Sequence, residues 1–526
     1  MSVPIYPPPF GETPRSFPSG RRKRLIRAGI ALGIIVILAI AAAVVHVVTS
    51  NPAKGLEAKF TQSIDWQKCA TGYRCASVDA PLDWSDSNSK SIHLALFEHV
   101  TTGTSEGTLL FNPGGPGESA VDYLEYGVTG VVSKAVAAKY DVVAFDPPGV
   151  GYSTAVKCYD AKGTDSYLYG ILPGKVGSSE WLAADRKVAK AFGTACKKNT
   201  GDLLGHVDTT SAARDMDLVR ADLGSKKLNY LGYSYGTYLG TVYAGLYPKN
   251  VGRFVFDGAD DPWVDQKNTD VVQIKGFEGD LKAYMAACLA GKKEALDGAA
   301  CPFTGTVSDG MSQVSALLTG VDEHPLAAKD GRLLGSSTLS TGIIESLYST
   351  TLWPTLTKAM TQAKAGNPTT AFALADQYND RKAKGTYEDN ATEAFIAVGC
   401  LEGATGDSLK SMRKEATRLT KAAPVLGKYQ AYSEISCAEW PVKSEPFPAE
   451  VHANGAAPIL IVGTTGDPAT PYSEATALAK QLSSGHLVTY HGEGHTAYNQ
   501  GHSCVDDAVD AYLLRGVVPT KDPQCH

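Results

Sequence analysis

No Cys-X-X-Cys pair occurs anywhere in the 526 residues, and no cysteine precedes Cys69. The first absence leaves no framework for a zinc ribbon or finger, and the second leaves a lipid anchor near the amino terminus without an attachment residue. No internal repeat is visible, which excludes solenoids and propellers. Charged residues make up only 20% against 43% hydrophobic, too apolar a balance for a disordered chain. Nor is there a single charge between Arg27 and Lys54.

That uncharged interval divides a net charge that looks unremarkable at −6. Residues 1–27 carry six cations and one anion, +5, leaving 43 cations against 54 anions, −11, for the remainder. An acidic body argues against nucleic acid as a partner. Ala28 to Val48 is a nearly all-apolar run of 21 residues broken only by His46, and as a helix at about 1.5 Å per residue it spans a bilayer core of about 30 Å. The preceding RRKRLIR predicts a cytoplasmic tail over 1–27, a single transmembrane helix over 28–48 and everything beyond outside the cell. A cleaved secretory signal, with its apolar region of about 7 to 15 residues, is the shorter alternative and would make the protein secreted. All ten cysteines lie beyond this segment, as an oxidising compartment permits. Pairing of neighbours, Cys69 with Cys75, Cys158 with Cys196, Cys288 with Cys301, Cys400 with Cys437 and Cys504 with Cys525, is the simplest of the connectivities open to them.

Beyond the membrane segment, strand patterns (IHLALFEHV, GTLLF, KYDVVAF, KLNYLG, RFVFD) alternate with helical ones (SAARDMDLVRADLG, YLGTVYAGLYP). This alternation predicts an α/β fold with a mostly parallel central sheet and helices on both faces. From about Asp261 to Glu445 the texture becomes Ala-, Lys- and Leu-rich and helical, with no convincing strand, before APILIVG and HLVTY resume the sheet. The expected organisation is a first core segment over 60–260, a helical cap over 261–445 and a final core segment over 446–526.

The sharpest motif is Gly232-Tyr233-Ser234-Tyr235-Gly236, set between a strand and a helix as a nucleophile elbow requires. A serine hydroxyl needs a base, and the base needs a carboxylate to hold its tautomer. In this topology acid and histidine follow in that order. Asp467 in GTTGDPATP and His495 in HGEGHT both lie just past strands, where such folds place active groups. Asn112-Pro113-Gly114-Gly115-Pro116-Gly117 follows an early strand, so the amides of Gly115 and Tyr235 are the expected oxyanion hole. His491 and His495 are four apart, but Gly492 and Gly494 disfavour a helix there and Glu493 is not in the zinc-protease position. No metal or cofactor is expected.

Together the NPGGPG loop, GYSYG elbow, GTTGDPATP and GEGHT segments resemble the secreted tripeptidyl aminopeptidases of actinobacteria, a branch of the prolyl aminopeptidase family of α/β hydrolases. The likeness runs from about Trp66 to Cys525. It implies an α/β-hydrolase fold with a large helical cap, with Ser234 as nucleophile, Asp467 as orienting acid and His495 as base. AVGCLE around Cys400 and CAEWP at Cys437 resemble cap segments of that branch, which supports a Cys400–Cys437 bridge. Related enzymes hold the free N-terminal ammonium of a peptide with cap carboxylates; Glu402 is the candidate for that role, with Glu345 and Glu393 behind it. The chain departs from the pattern at Pro113, where prolyl aminopeptidases carry His, and at Pro148, where relatives usually show Arg.

The resemblance thus implies peptide substrates with a free N-terminus, while the acidic body speaks against nucleic acid and the apolar run over 28–48 implies contact with the membrane; the sequence says nothing of oligomeric state. An esterase or lipase uses the same three residues, since fold and triad do not choose the leaving group. A non-catalytic binding protein on this scaffold would be expected to have lost one of them.

Overall fold

The computed structural model describes residues 56–263, 266–402, 408–443 and 450–526. The expected membrane segment lies outside them, and no helix among the described residues is long and apolar enough to cross a membrane. A ten-stranded sheet forms the frame: β1 (Gln67–Ala70), β2 (Tyr73–Pro81), β3 (Ser91–His99), β4 (Thr108–Asn112), β5 (Asp141–Phe145), β6 (Leu228–Tyr233), β7 (Val251–Asp257), then, past a two-stranded hairpin β8 (Leu326–Ala327) and β9 (Leu333–Leu334), β10 (Ile459–Gly466), β11 (Gly485–Glu493) and β12 (Gln524–Cys525). Their spatial order is β1-β2-β3-β5-β4-β6-β7-β10-β11-β12. The β1–β2, β2–β3 and β3–β5 pairs are antiparallel, and every pair from β5–β4 onward is parallel. This is the α/β-hydrolase sheet.

The parallel strands are continuous apolar runs because helices cover both of their faces. Alternation sorts them: Leu110, Val143, Phe145, Tyr230, Phe254, Phe256 and Ile461 enter one core, while Leu109, Phe111, Val142, Ala144, Leu231, Val255 and Val462 enter the other. The helix after the elbow, Tyr235–Leu246, packs so closely on the first face that a Cβ at Gly240 would lie 2.7 Å from the Tyr230 ring and closer still to Phe256.

Between β7 and β10 the chain is helical apart from the hairpin β8–β9, whose two-residue strands are too short to leave a periodic signal in the sequence. These helices bury a core of their own around Leu281, Tyr284, Leu318, Ile343 and Leu356. A second excursion, between β5 and β6, joins them. Its helix Ala161–Tyr169 sends Leu168 and Tyr169 into the cap core, and Arg381 forks onto Asp165 at 2.7 and 2.8 Å. Its helix Ser179–Thr200 packs Leu182 and Ala189 against Met412 and Ile435. The cap is therefore built from two stretches of chain, one of which the sequence reading assigned to the core.

All five disulfides join sequence neighbours: Cys69–Cys75, Cys158–Cys196, Cys288–Cys301, Cys400–Cys437 and Cys504–Cys525. Gly240→Ala is expected to destabilise the fold by about 1–3 kcal/mol through overpacking, read as a lower denaturation midpoint in urea.

Candidate active site

Ser234 stands alone between β6 and the helix Tyr235–Leu246, with φ 54° and ψ −129°. A residue with a side chain rarely adopts such a backbone, and it persists only where its surroundings enforce it. Here its amide donates to the Asp257 carbonyl at 3.0 Å, and its carbonyl accepts from the Thr237 hydroxyl at 2.6 Å. The flanking glycines are steric requirements. A Cβ at Gly232 would lie 2.5 Å from the Gly236 carbonyl oxygen, and one at Gly236 would lie 2.7 Å from that of Asn112.

Asp467 and His495 emerge from the ends of the adjacent β10 and β11. His495 Nδ1 is 2.9 Å from both carboxylate oxygens of Asp467. The carboxylate also accepts the amides of Ala469 and Thr470 at 2.9 and 2.8 Å, which fixes its plane. With Nδ1 donating to Asp467, Nε2 is left as the acceptor. That atom is buried without a hydrogen-bond partner, and His495 and Ser234 line one cavity. The histidine loop is held on both sides: the His495 amide donates to the Tyr348 carbonyl at 2.8 Å, and the Tyr348 ring meets the imidazole edge-on, centroids 5.5 Å apart. From the sheet, the buried Asp257 carboxylate accepts the amides of Ala497 and Tyr498 at 3.0 and 2.8 Å. Burial disfavours the charged ring of His495, but the charge and hydrogen bond of Asp467, reinforced by Asp257 and Asp260, outweigh it and hold its pKa above the ordinary histidine value.

The glycine loop passes directly beside the elbow. A Cβ at Gly114 would lie 2.9 Å from Ser234 Cβ and 3.1 Å from the Tyr235 nitrogen. The Gly114 amide is already used by Asn112 Oδ1 at 3.0 Å. Gly115 and Tyr235 also line the cavity, and Tyr235, as the first residue of its helix, has an amide without an intrahelical acceptor. Asp146, near the departure at Pro148, accepts with its buried carboxyl from the Ser119 hydroxyl at 3.0 Å, the Val121 amide at 3.2 Å and the Tyr152 amide at 2.9 Å, tying the oxyanion-loop side to the turn after β5. Burial pushes that carboxyl up to about 7.

The cavity itself, about 820 Å³, lies between sheet and cap and, among the described residues, is lined by nine carboxylic side chains and by no lysine or arginine. One group is Glu118, Glu345 and Asp380. Burial first, then mutual repulsion, lifts Glu118 well above the usual range and Asp380 to about 7; burial alone lifts Glu345 to about 7. A second group, Asp260, Asp261 and Glu474, lies on the Asp467 side, with Asp260 pushed to about 7 by burial and by Asp261. Glu402 is not among the lining residues. It is buried, and its Oε1 takes the Thr209 amide at 2.6 Å, so the sequence candidate for amine binding is occupied by a structural bond. Glu393 is occupied likewise by the amides of Cys158 and Tyr159, whereas Glu345 faces the cavity. Glu118 was missed, although its place directly after the glycine loop was a usable signal.

These raised carboxyls have a consequence for stability. A group whose folded pKa exceeds its unfolded value binds more protons in the folded state, so stability falls as pH rises between the two. With Asp146, Asp260, Glu345 and Asp380 near 7 against about 4 unfolded, the melting temperature is expected to fall as pH rises from about 5 to about 8. In a pH–rate profile the acid limb, which reports loss of neutral His495, should lie above the ordinary histidine pKa; Asp257→Asn, by removing a nearby negative charge, should move it to lower pH.

Residues 423–525 match the family model described as TAP-like protein. The chain is 34% identical over 499 residues to the serine protease Hip1 of Mycobacterium tuberculosis, covering 91% of this chain and 94% of that one. It is 32% identical over 483 residues to the tripeptidyl aminopeptidase of Streptomyces coelicolor, covering 88% and 86%. It is also 33% identical over 458 residues to carboxylesterase B of Mycobacterium tuberculosis, covering 86% of each. Given this similarity along nearly its whole length, the chain belongs to the tripeptidyl aminopeptidase-like branch of the α/β hydrolases and is a serine hydrolase of the peptidase type.

Proposed function

We propose that the protein is an extracytoplasmic serine exopeptidase that cuts short peptides near a free N-terminus. The observation that carries this reading is a single cavity holding Ser234, the unpartnered Nε2 of His495 and, apart from them, the carboxyl group of Glu118, Glu345 and Asp380. His495 takes the proton of Ser234 as its oxygen attacks the scissile carbonyl, and Asp467 stabilises the imidazolium that forms. The developing oxyanion is received by the amides of Gly115 and Tyr235. His495 returns its proton to the leaving amine, and a water activated by the same ring then releases the acyl group.

An N-terminal ammonium entering the carboxyl group finds acceptors that no protein cation neutralises, and a charge-assisted bond in a dry site is stronger than in water. The cap closes over the sheet, which excludes folded proteins and limits how many residues precede the cut. The five disulfides suit an oxidising compartment, and we assign residues 28–48 as the membrane anchor that leaves the enzyme outside the cell.

An ester substrate is the second reading, favoured by the relative named carboxylesterase B. Hydrolysis of a chromogenic tripeptide amide, with free and with acetylated N-terminus, beside a short-chain ester separates the two. Acetylation is expected to lower kcat/KM by about 10²-fold, the loss of a buried charge-assisted contact. Glu345→Gln should raise KM for the free-amine peptide more than it lowers kcat. Ser234→Ala should reduce turnover by about 10⁴-fold or more. Equal cleavage of both peptides would refute ammonium recognition, and turnover of the ester alone would replace the peptidase with an esterase.

A further inference from the structure

The cap wall carries a polar group that this chemistry does not use. Asp270 and Gln273 lie one turn apart on the helix Gln266–Leu289 and both line the cavity. The Gln273 side-chain amide donates to the Ala469 carbonyl at 2.8 Å, two residues from Asp467. Asp270 is therefore about 4.5 Å of helical rise from Gln273, the residue bonded to the Asp467 loop, and it lines the same cavity as Ser234. Asp270 is 5% exposed, yet its Oδ1 makes no hydrogen bond. Ser433, 4% exposed and also lining the cavity, has an equally unpartnered Oγ; its chain neighbour Glu434 is one of the charges that Asp270 feels.

The local charge balance is unequal. Asp270 is held well above the usual carboxylate range by burial and then by the charges of Glu434 and Glu415, with its own backbone amide and then Arg418 acting the other way. The Arg418 guanidinium is itself bonded to Glu415 at 2.8 Å. Asp270 is thus a buried carboxyl group with one unsatisfied oxygen, in surroundings where an uncompensated charge costs several kcal/mol. Among the described residues no lysine or arginine lines the cavity. The ligand that complements such a carboxyl group is one that brings a positive charge and hydrogen-bond donors. Trp181 and Tyr432, with ring centroids 5.8 Å apart, line the same cavity and offer aromatic surface to an aliphatic stem.

We propose that Asp270 and Ser433 form a subsite for a basic side chain, lysine or arginine, of the bound peptide, separate from the site of its N-terminal ammonium. Asp270 Oδ1 accepts a charge-assisted hydrogen bond from the cation, Ser433 Oγ accepts a second, and the stem lies along Trp181 and Tyr432. This specificity rests on the peptidase reading above.

The test is a set of free-amine tripeptide amides with lysine at each position in turn, against norleucine, which keeps the stem and removes the charge. At one position lysine should be favoured in kcat/KM by about tenfold or more, the scale of a desolvated charge-assisted bond. Asp270→Asn should bring that ratio to about one, and the ratio cancels any effect on the common machinery. A ratio near one at every position in the wild type, or a preference that survives Asp270→Asn, overturns the subsite. The same peptides are titrated into Ser234→Ala, where no turnover is needed. A lysine preference in Kd without hydrolysis of any peptide by the wild type keeps the subsite and overturns only the peptidase reading; equal Kd values overturn the subsite whatever is hydrolysed. If melting shows Asp270→Asn to be unfolded, Ser433→Ala replaces it and must lower the ratio severalfold for the proposal to stand.

Discussion

Asp257, the last residue of β7, holds both halves of the catalytic arrangement at once. Its carbonyl receives the amide of Ser234, keeping the serine in a backbone conformation it would otherwise leave, and its carboxylate receives the amides of Ala497 and Tyr498, keeping the histidine loop folded over the sheet. Ser234 and His495 are 261 residues apart in sequence and come from different strands, yet their positions are referred to one side chain and one peptide group. A carboxylate accepting backbone amides in a dry interior is a rigid reference point, because any displacement leaves a buried charge unsatisfied. Asp467 acts similarly on the acid loop through Ala469 and Thr470, and Asp146 on the oxyanion-loop side through Ser119, Val121 and Tyr152.

The same economy explains the electrostatics of the cavity. Burial raises even the amide-accepting carboxyls, Asp146 to about 7 and Asp257 to about 6; those around the cavity, Glu118 and Asp380 among them, are raised by burial and by crowding of carboxyl groups together. The site is therefore poised for a ligand that brings its own positive charge. In the proposed function, catalysis at Ser234 and recognition along the cap wall use one resource, a low-dielectric space in which fixed partial and full charges are worth more than in water.

Much of this was legible locally. GYSYG between strand and helix, DPATP after ILIVG and GEGHT after LVTY each announce their place because the constraint they satisfy is short-range: a turn too tight for Cβ atoms, a carboxylate bonded to amides two and three residues ahead, a loop at a strand end. The neighbour pairing of cysteines is likewise short-range. What remained hidden depends on packing. Glu402 and Glu345 have similar helical contexts in sequence, and only the rotation and docking of their helices decides that one meets the Thr209 amide and the other the cavity. The Ala161–Gly205 excursion reads as part of the core because it lies between two core strands; that it belongs to the cap follows from Arg381 reaching Asp165 and from Leu168 and Tyr169 entering the cap interior.

The sequence by itself marked the alternating architecture, the candidate serine, acid and histidine, and the family, because each rests on residue type and on contacts within a few positions. The tertiary structure alone decided which carboxyls face the cavity, which are spent on backbone amides, and where positive charge is wanted but absent. Those are properties of a space enclosed by segments hundreds of residues apart, and no local pattern records the shape of that space.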